Sequence, residues 1–353
     1  MTKKKTKNLF GKLIIVLLII GLIVGGISGK YWYLNYKVIN IEFEGDAVKI
    51  FIPKGSSQQD VLTQLVDLKM VSNSESLTWL ADQKNYKGKL VVSGNYIIKS
   101  GWTNNQLINH LRAGNGRIDA NISFANVRTL KNLAESISKG ILLDSDAIYT
   151  WLMSDANIRK YGFKKETIIS MFIPNTYRVD YDITVADLMK RMAKEYKSFW
   201  NAERISKLKA IKLSQSEATT LASIVFSETN SKKDMKTIAG VYMNRINKGW
   251  PLQADPTLIF ALNDYTIKRV LNKHKKVDSP YNTYMYKGLP PGPINIPPSK
   301  YIDAVLNYEN HKFMFFCAKE DFSGDSNFAR TLAGHMINAR RYQKALNARR
   351  IYE

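Results

Sequence analysis

The chain has 353 residues, 45% of them hydrophobic, enough for a sizeable core and for two or three domains. Against 30 Asp and Glu stand 52 Lys and Arg, a formal charge of +22 that suits a polyanionic partner or an anionic membrane surface. The basic residues are spread along the chain without a finger, homeodomain or RNA-recognition signature, so nucleic acid is not an expected partner, and the single cysteine, Cys317, excludes a disulfide within the chain.

The N-terminus "MTKKKTKNLFGK" is lysine-rich, and "LIIVLLIIGLIVGGISG", Leu13 to Gly29, then runs without a charge. At 1.5 Å rise per residue this run reaches roughly 26 Å, near the hydrocarbon thickness of a bilayer. Lys30 closes it, followed by the aromatic trio Tyr31, Trp32 and Tyr33. The lysines predict a cytoplasmic N-terminus, and the rings fit an interfacial belt on the far side. The alternative is a cleaved signal peptide. The run is longer than a usual signal-peptide core, however, no small-x-small cleavage site follows cleanly, and no cysteine follows for a lipoprotein anchor. Residues after about 34 are expected outside the cytoplasmic membrane.

Residues 39–115 read as one small α+β unit. "VKIFIPKGSS" is a strand ending in a Pro/Gly/Ser turn. An amphipathic helix follows, with Ser57 as its cap before Val61, Leu62, Leu65 and Leu68. "KLVVSGNYIIKSGW" is a strand broken at Gly94, and "TNNQLINHLRAGNG" a helix closed by Gly114. This rhythm resembles a LysM-like glycan-binding module; a structural spacer is the alternative. "ISFANVRTLKNLAESISKGILLDSDAIYTWL" echoes it weakly. From about 158 onward the chain is mostly helical. "SMFIPNTYRVD" reads as a loop, and "TVADLMKRMAKEYKSFWNAERISKLKAI" as one long basic amphipathic helix with a solvated charged face.

In "SEATTLASIVFSETN" helical spacing puts Leu221, Val225 and Glu228 on one stripe. A second helix, about Lys233 to Asn247, puts Ile238, Val241, Tyr242 and Arg245 on another. Glu228 and Arg245 therefore form either a packing ion pair or a site in which a desolvated carboxyl gives up a proton near neutral pH. In "GWPLQADPTLIFAL", Asp255 before Pro256 reads first as an N-cap and second as a catalytic group, while Gln253 is better placed for a ligand. Seven prolines and glycines between 288 and 298 build a stiff wall, and Tyr281, Asn282, Thr283 and Tyr284 offer the rings and hydrogen bonds that suit a sugar. "SNFARTLAGHMINARRY" adds Thr331 and His335, the histidine open to a structural or a ligand role. Cys317, in the apolar run "KFMFFCA", reads as a small buried hydrophobe in a strand. There is no H-E-x-x-H, paired cysteine, P-loop or G-x-S-x-G, and with four scattered histidines neither a metal nor another cofactor is expected.

The string "LASIVFSETN … IAGVYMNRINKGWPLQADPT … SPYNTYMYKGLPPGPI … TLAGH" resembles the YceG-like family of endolytic murein transglycosylases, and the similarity runs over essentially the whole chain. The resemblance implies an α+β chain with a cytoplasmic tail at 1–12, a membrane anchor helix at 13–33, the LysM-like module at 39–115, a connecting α+β segment at 116–157, and a larger, mostly helical catalytic domain at 158–353. It implies cleavage of peptidoglycan between N-acetylmuramic acid and N-acetylglucosamine, within nascent strands, leaving 1,6-anhydromuramic ends. It places the catalytic acid on Glu228, without metal or cofactor. Substrate contacts would fall on Asn244, Arg245, Gln253, Asp255, Thr257, Tyr281, Asn282, Tyr284, Thr331 and His335. Glycan strands, the lipid bilayer and peptidoglycan synthases are the implied partners. There are departures: Phe226 stands where the family has a first glutamate, Ile169 replaces a glutamate and Asn175 an aspartate. "PINIPPS" differs from the family's proline-glycine turn, and a late histidine is absent, with Asn327 nearby. Two rival readings remain, a two-carboxylate hydrolase and a non-catalytic wall-binding scaffold.

Overall fold

The computed structural model describes residues 3–349, except 115, 116, 119, 126 and 268. The chain is α+β and divides into two compact units, Met1–Ala120 with Asp180–Asp182, and Asn121–Val179 with Ile183–Glu353.

The first unit begins with helix α1 (Lys3–Tyr36), whose part Lys12–Tyr36 holds an unburied apolar stretch of mean hydropathy 2.5 and is long and apolar enough to cross a bilayer. Then come β1 (Ile39–Ile41), β2 (Ala47–Ile52), α2 (Gln58–Asp67), α3 (Ser74–Gln83), β3 (Gly94–Lys99), β4 (Trp102–Thr103), α4 (Asn104–Ala113) and β5 (Arg117–Ile118). Strand β3 is central, antiparallel to β2 from Ala47 opposite Lys99 to Ile52 opposite Gly94, and to β5 on its other edge. The helices start where short polar side chains can accept the first free amides: Ser57, Asn73 and Thr103 each cap one. Gly114, at φ 64°, closes α4 in the left-handed conformation that glycine adopts without strain. Val61, Leu65, Leu77, Tyr96, Ile98 and Leu107 fill the core between sheet and helices.

The second unit runs β6 (Ala120–Ser123), α5 (Leu130–Ser138), α6 (Ser145–Met153), α7 (Asp155–Arg159), β7 (Thr176–Val179), α8 (Val185–Phe199), α9 (Ala202–Ile211), α10 (Gln215–Glu228), α11 (Met235–Asn247), α12 (Asp255–Leu262), α13 (Ser299–Leu306), β8 (Phe315–Ala318), β9 (Ser326–Ala329) and α14 (Leu332–Ala348). Two expectations change here. "TYRV" pairs with β6 as β7 rather than staying a loop. The long basic helix is two helices, because the Asn201 side chain accepts the amide of Arg204 and restarts the chain as α9.

Helix α10 is the centre of this unit. A capping box of Ser214 and Glu217 starts it, and every residue from Ala218 to Val225 is buried. Its apolar members, Leu221, Ile224 and Val225, pack against α11 and α13; fully burying such side chains contributes about 1.5–3 kcal/mol each. Its hydroxyls are satisfied within the helix: Thr219 donates to Gln215 O and Thr220 to Ser216 O. The proline-rich wall packs backbone to backbone on the 166 region. A Cβ on Gly292 would lie 1.9 Å from Glu166 O, so only glycine fits there.

Candidate active site

Glu228 is the last residue of α10, and the chain around it is pinned on both sides. On the N-terminal side, Asn295 donates through Nδ2 to Ser227 Oγ (2.8 Å) and Ser223 O (3.2 Å), and the Ile294 amide donates to Ser223 Oγ (3.0 Å). On the C-terminal side, the Tyr301 hydroxyl of α13 donates to Thr229 O at 2.9 Å. The carboxyl itself accepts from the Tyr242 hydroxyl at 2.6 Å through Oε1. Helix α11 supplies that tyrosine. Asp234 ties the start of the same helix to the hairpin of β8 and β9 by accepting the Ser326 amide at 2.6 Å.

Around Glu228 lies a cavity of about 480 Å³ lined by Tyr242, Arg245, Gln253, Asp255, Lys275, Tyr284, Phe315, Phe316, Leu332 and His335. A second cleft of about 460 Å³ shares Glu228 and Phe316 with it, so the acid stands between two openings rather than at the end of one. Glu228 is half-buried. Its pKa is raised to about 7: desolvation is the largest cause and the nearby charge of Asp255 acts in the same direction, while the hydrogen bond from Tyr242 and the charge of Arg245 act downward. The C-terminus of α10 adds to this, since its free carbonyls disfavour negative charge. Burial, then the charge of Glu228, pushes the Tyr242 phenol well above its ordinary value, so it stays a donor.

Arg245 is buried and donates through Nε to Met314 O at 2.9 Å and through Nη1 to Leu252 O. Its guanidinium sits 5.6 Å from the Phe315 ring centroid, and burial lowers its pKa from the usual arginine value. His335 lies nearly parallel to Phe315, with centroids 5.4 Å apart. Burial, then Arg245, lowers its pKa, and its Nδ1 has no hydrogen-bond partner among the described residues.

Of the residues expected at a substrate site, Arg245, Gln253, Asp255, Tyr284 and His335 meet Glu228 in one cavity. Gln253 is exposed there at φ 49°, a left-handed conformation that a non-glycine residue holds only under strain. Asp255 is corrected from N-cap to first helical residue of α12. Ala254 occupies the cap, and Asp255 accepts from the Tyr284 hydroxyl at 2.5 Å instead. The other expected contacts lie elsewhere. Asn244 gives its amide to the carbonyls of His311 and Phe313. Thr257 bonds Ala254 O and the Thr283 hydroxyl, stitching the "LQADPT" and "YNTY" loops together. Asn282 bonds the carbonyls of Lys275 and Val277 and shapes its own turn. Tyr281 packs on Phe260 at 4.7 Å, lining a different cleft, and Thr331 caps α14. The polar groups of Asn244, Thr257 and Asn282 hold loop backbone and side chains, and spacing alone does not separate that role from contact with a ligand.

The family model of the YceG-like family matches residues 50–341, most of the chain. The chain belongs to the YceG-like family. It is 27% identical, over 91% of its length and 92% of the relative's, to a protein named endolytic murein transglycosylase from Bacillus subtilis. A protein of the same name from Streptococcus pneumoniae is 24% identical over 83% of this chain, which spans 58% of that relative. A crystal structure of a yceG-like protein from Listeria monocytogenes matches with a TM-score of 0.54 and 27% identity, covering 83% of this chain and 98% of the other.

Within this YceG-like chain, the departures noted in the sequence fall outside the 480 Å³ cavity, although Phe226 lines the second cleft beside Glu228. Phe226 packs on Tyr301 at 4.9 Å; Asn175 accepts the Thr176 amide in a turn; Asn327 donates to Glu320 at 2.7 Å. Sequence reasoning missed Tyr242, Lys275, Phe315 and Phe316 as parts of the site. For Tyr242 the signal existed, since it shares a helical stripe with Arg245. The two phenylalanines read only as an apolar run. Cys317 is in a strand as expected, but half-exposed on the wall of the second cleft.

Proposed function

We infer that this chain is an endolytic murein transglycosylase that cleaves peptidoglycan glycan strands with Glu228 as its one acid and base. The observation that carries the reading is the state of Glu228. It is a carboxyl with a pKa near 7, set in an open groove and held by a tyrosine donor. Near neutrality such a group is protonated often enough to give a proton and ionised often enough to take one back.

Protonated Glu228 gives its proton to the glycosidic oxygen between muramic acid and glucosamine as the C1–O bond breaks. The resulting carboxylate removes the proton from the C6 hydroxyl of the same muramic residue, whose oxygen closes on C1 to form the 1,6-anhydro ring. No water is consumed. The nucleophile is intramolecular, which favours it over water when the ring is held in place. Tyr242 occupies Oε1 and leaves Oε2 to carry the exchangeable proton. Asp255, engaged by Tyr284, keeps a negative charge near enough to favour the protonated acid. Gln253, Tyr284 and His335 offer the polar and ring contacts that hold a sugar.

The helix over Lys12–Tyr36 anchors the chain in the membrane once, with the lysine-rich end in the cytoplasm and the cleft outside. That places the cutter beside newly made strands, where synthases of the elongation or division machinery are its expected neighbours. One observation favours a second reading. Asp255 shares the cavity, and two carboxylates could activate water instead. Mass spectrometry of fragments released from purified strands separates the two. Anhydro ends support the transglycosylase, whereas reducing muramic ends would falsify it. Glu228→Gln should fold, bind strands and lose nearly all cutting; full cell-wall activity in that variant would leave only a scaffold role.

A further inference from the structure

A branch of the groove leads away from Glu228 to a basic pocket. The cleft holding Glu228, Ser227 and Asn230 adjoins one of about 280 Å³, which shares Phe226, Ser227 and Asn230 with it and adds Arg128, Phe260, Tyr265, Ile294 and Asn295. That cleft shares Arg128 and Phe260 with a third, of about 290 Å³, at the start of α5. The third is lined by three cations, Arg128, Lys131 and Lys165, against one carboxylate, Glu166. Apart from Thr129 its remaining wall is apolar or aromatic, with Tyr149, Met153, Ile169 and Pro293 among its residues. The first turn of α5 lies in the same wall and adds the positive end of a helix. Arg128 also lies over the Tyr265 ring at 4.3 Å, which holds its guanidinium where the two clefts meet.

We propose that this side pocket binds the peptide carried by the muramic residue of the strand under cleavage, taking its carboxylates on Arg128, Lys131 and Lys165 and its amino group on Glu166. The proposal rests on the glycan-cleaving reading of Glu228. Its own support is charge complementarity combined with an amphipathic wall. A peptide has methyl and methylene groups for Tyr149, Met153 and Ile169, carboxylates for the cations and an amine for Glu166. A polyphosphate has no use for the apolar wall and is repelled by Glu166. The pocket and the acid are also one mechanical piece. Gly292 packs on the backbone of Glu166, Pro293 lines the pocket, and Ile294 and Asn295 hold α10 just before Glu228. Peptide seated in the pocket therefore helps set the muramic ring against the acid.

The test compares two substrates with the full chain: peptide-bearing strands and the same strands stripped by an amidase. The wild type should cut peptide-bearing strands with kcat/KM about tenfold higher. Arg128→Ala with Lys131→Ala should lose that preference and keep the rate on stripped strands. Equal cutting of both strands by the wild type, or an undiminished preference in the double variant, overturns the proposal. A second arm needs no cleavage: the free stem tetrapeptide is titrated calorimetrically into Glu228→Gln with the pocket intact or doubly substituted. About tenfold weaker binding in the substituted protein is expected. Poly(glycerol phosphate) binding there in place of the peptide would assign the pocket to phosphate and overturn the proposal. If the wild type cuts neither strand, the reading of Glu228 fails, and the binding arm still decides the pocket.

Discussion

Two carboxylates in one cavity each accept a hydrogen bond from a tyrosine, Glu228 from Tyr242 at 2.6 Å and Asp255 from Tyr284 at 2.5 Å. The chemistry of the pairs is nearly the same, and their settings differ. Glu228 is half-buried at the C-terminus of α10, where helix carbonyls and neighbouring side chains disfavour charge. Asp255 is exposed at the first position of α12, where free amides welcome it. The pKa near 7 therefore belongs to the place Glu228 holds rather than to the pair it forms. Proton transfer is assigned to the desolvated carboxyl, and the solvated one tunes it through space.

The sharpest way to break this contrast is to neutralise each acid in turn. Glu228→Gln should lower strand cleavage by roughly 10³-fold, and Asp255→Asn by about tenfold. Equal losses, read as released fragments per enzyme, would mean two acids acting together. Stability gives the next largest effect. Glu228 has a folded pKa of about 7 against an ordinary 4.5, so the folded state binds more protons between those values and stability falls as pH rises through that window. Glu228→Gln should therefore raise stability at pH 8 by on the order of 2 kcal/mol, a gain that disappears near pH 4. Denaturant melts at the two pH values check it. Finer still are the pH profiles of kcat/KM. The alkaline limb should reflect Glu228, because activity needs its proton. Asp255→Asn removes a charge that raises that pKa and should move the limb to lower pH. Tyr242→Phe removes a hydrogen bond that lowers it and should move the limb to higher pH. The smallest change is expected from Tyr284→Phe, which leaves Glu228 and its donor untouched and should shift the limb less than Asp255→Asn does.

The helices and their caps were readable because they depend on neighbours a few residues away. Ser57 and Gly114 cap and close the helices they were expected to. The break at Asn201 escaped, because one asparagine interrupts an otherwise continuous amphipathic pattern. Asn282 reads as a ligand contact because amides suit sugars, and Asn244 through the family resemblance. Their bonds to the 311–313 backbone and to the carbonyls of Lys275 and Val277 depend on a loop path that no local spacing encodes.

By itself, then, the sequence determined the α+β class, the apolar N-terminal helix and the carboxylate at the end of a buried stripe, since periodicity and capping act over single turns of chain. Only the tertiary structure decided that Tyr242 would meet Glu228, that Asp255 would face the same cavity, and that Phe315 and Phe316 would form part of its wall. A carboxyl group's proton affinity is set by whatever surrounds it in space. Its partners here come from segments as far apart in the chain as α10 and β8, which packing alone brings together.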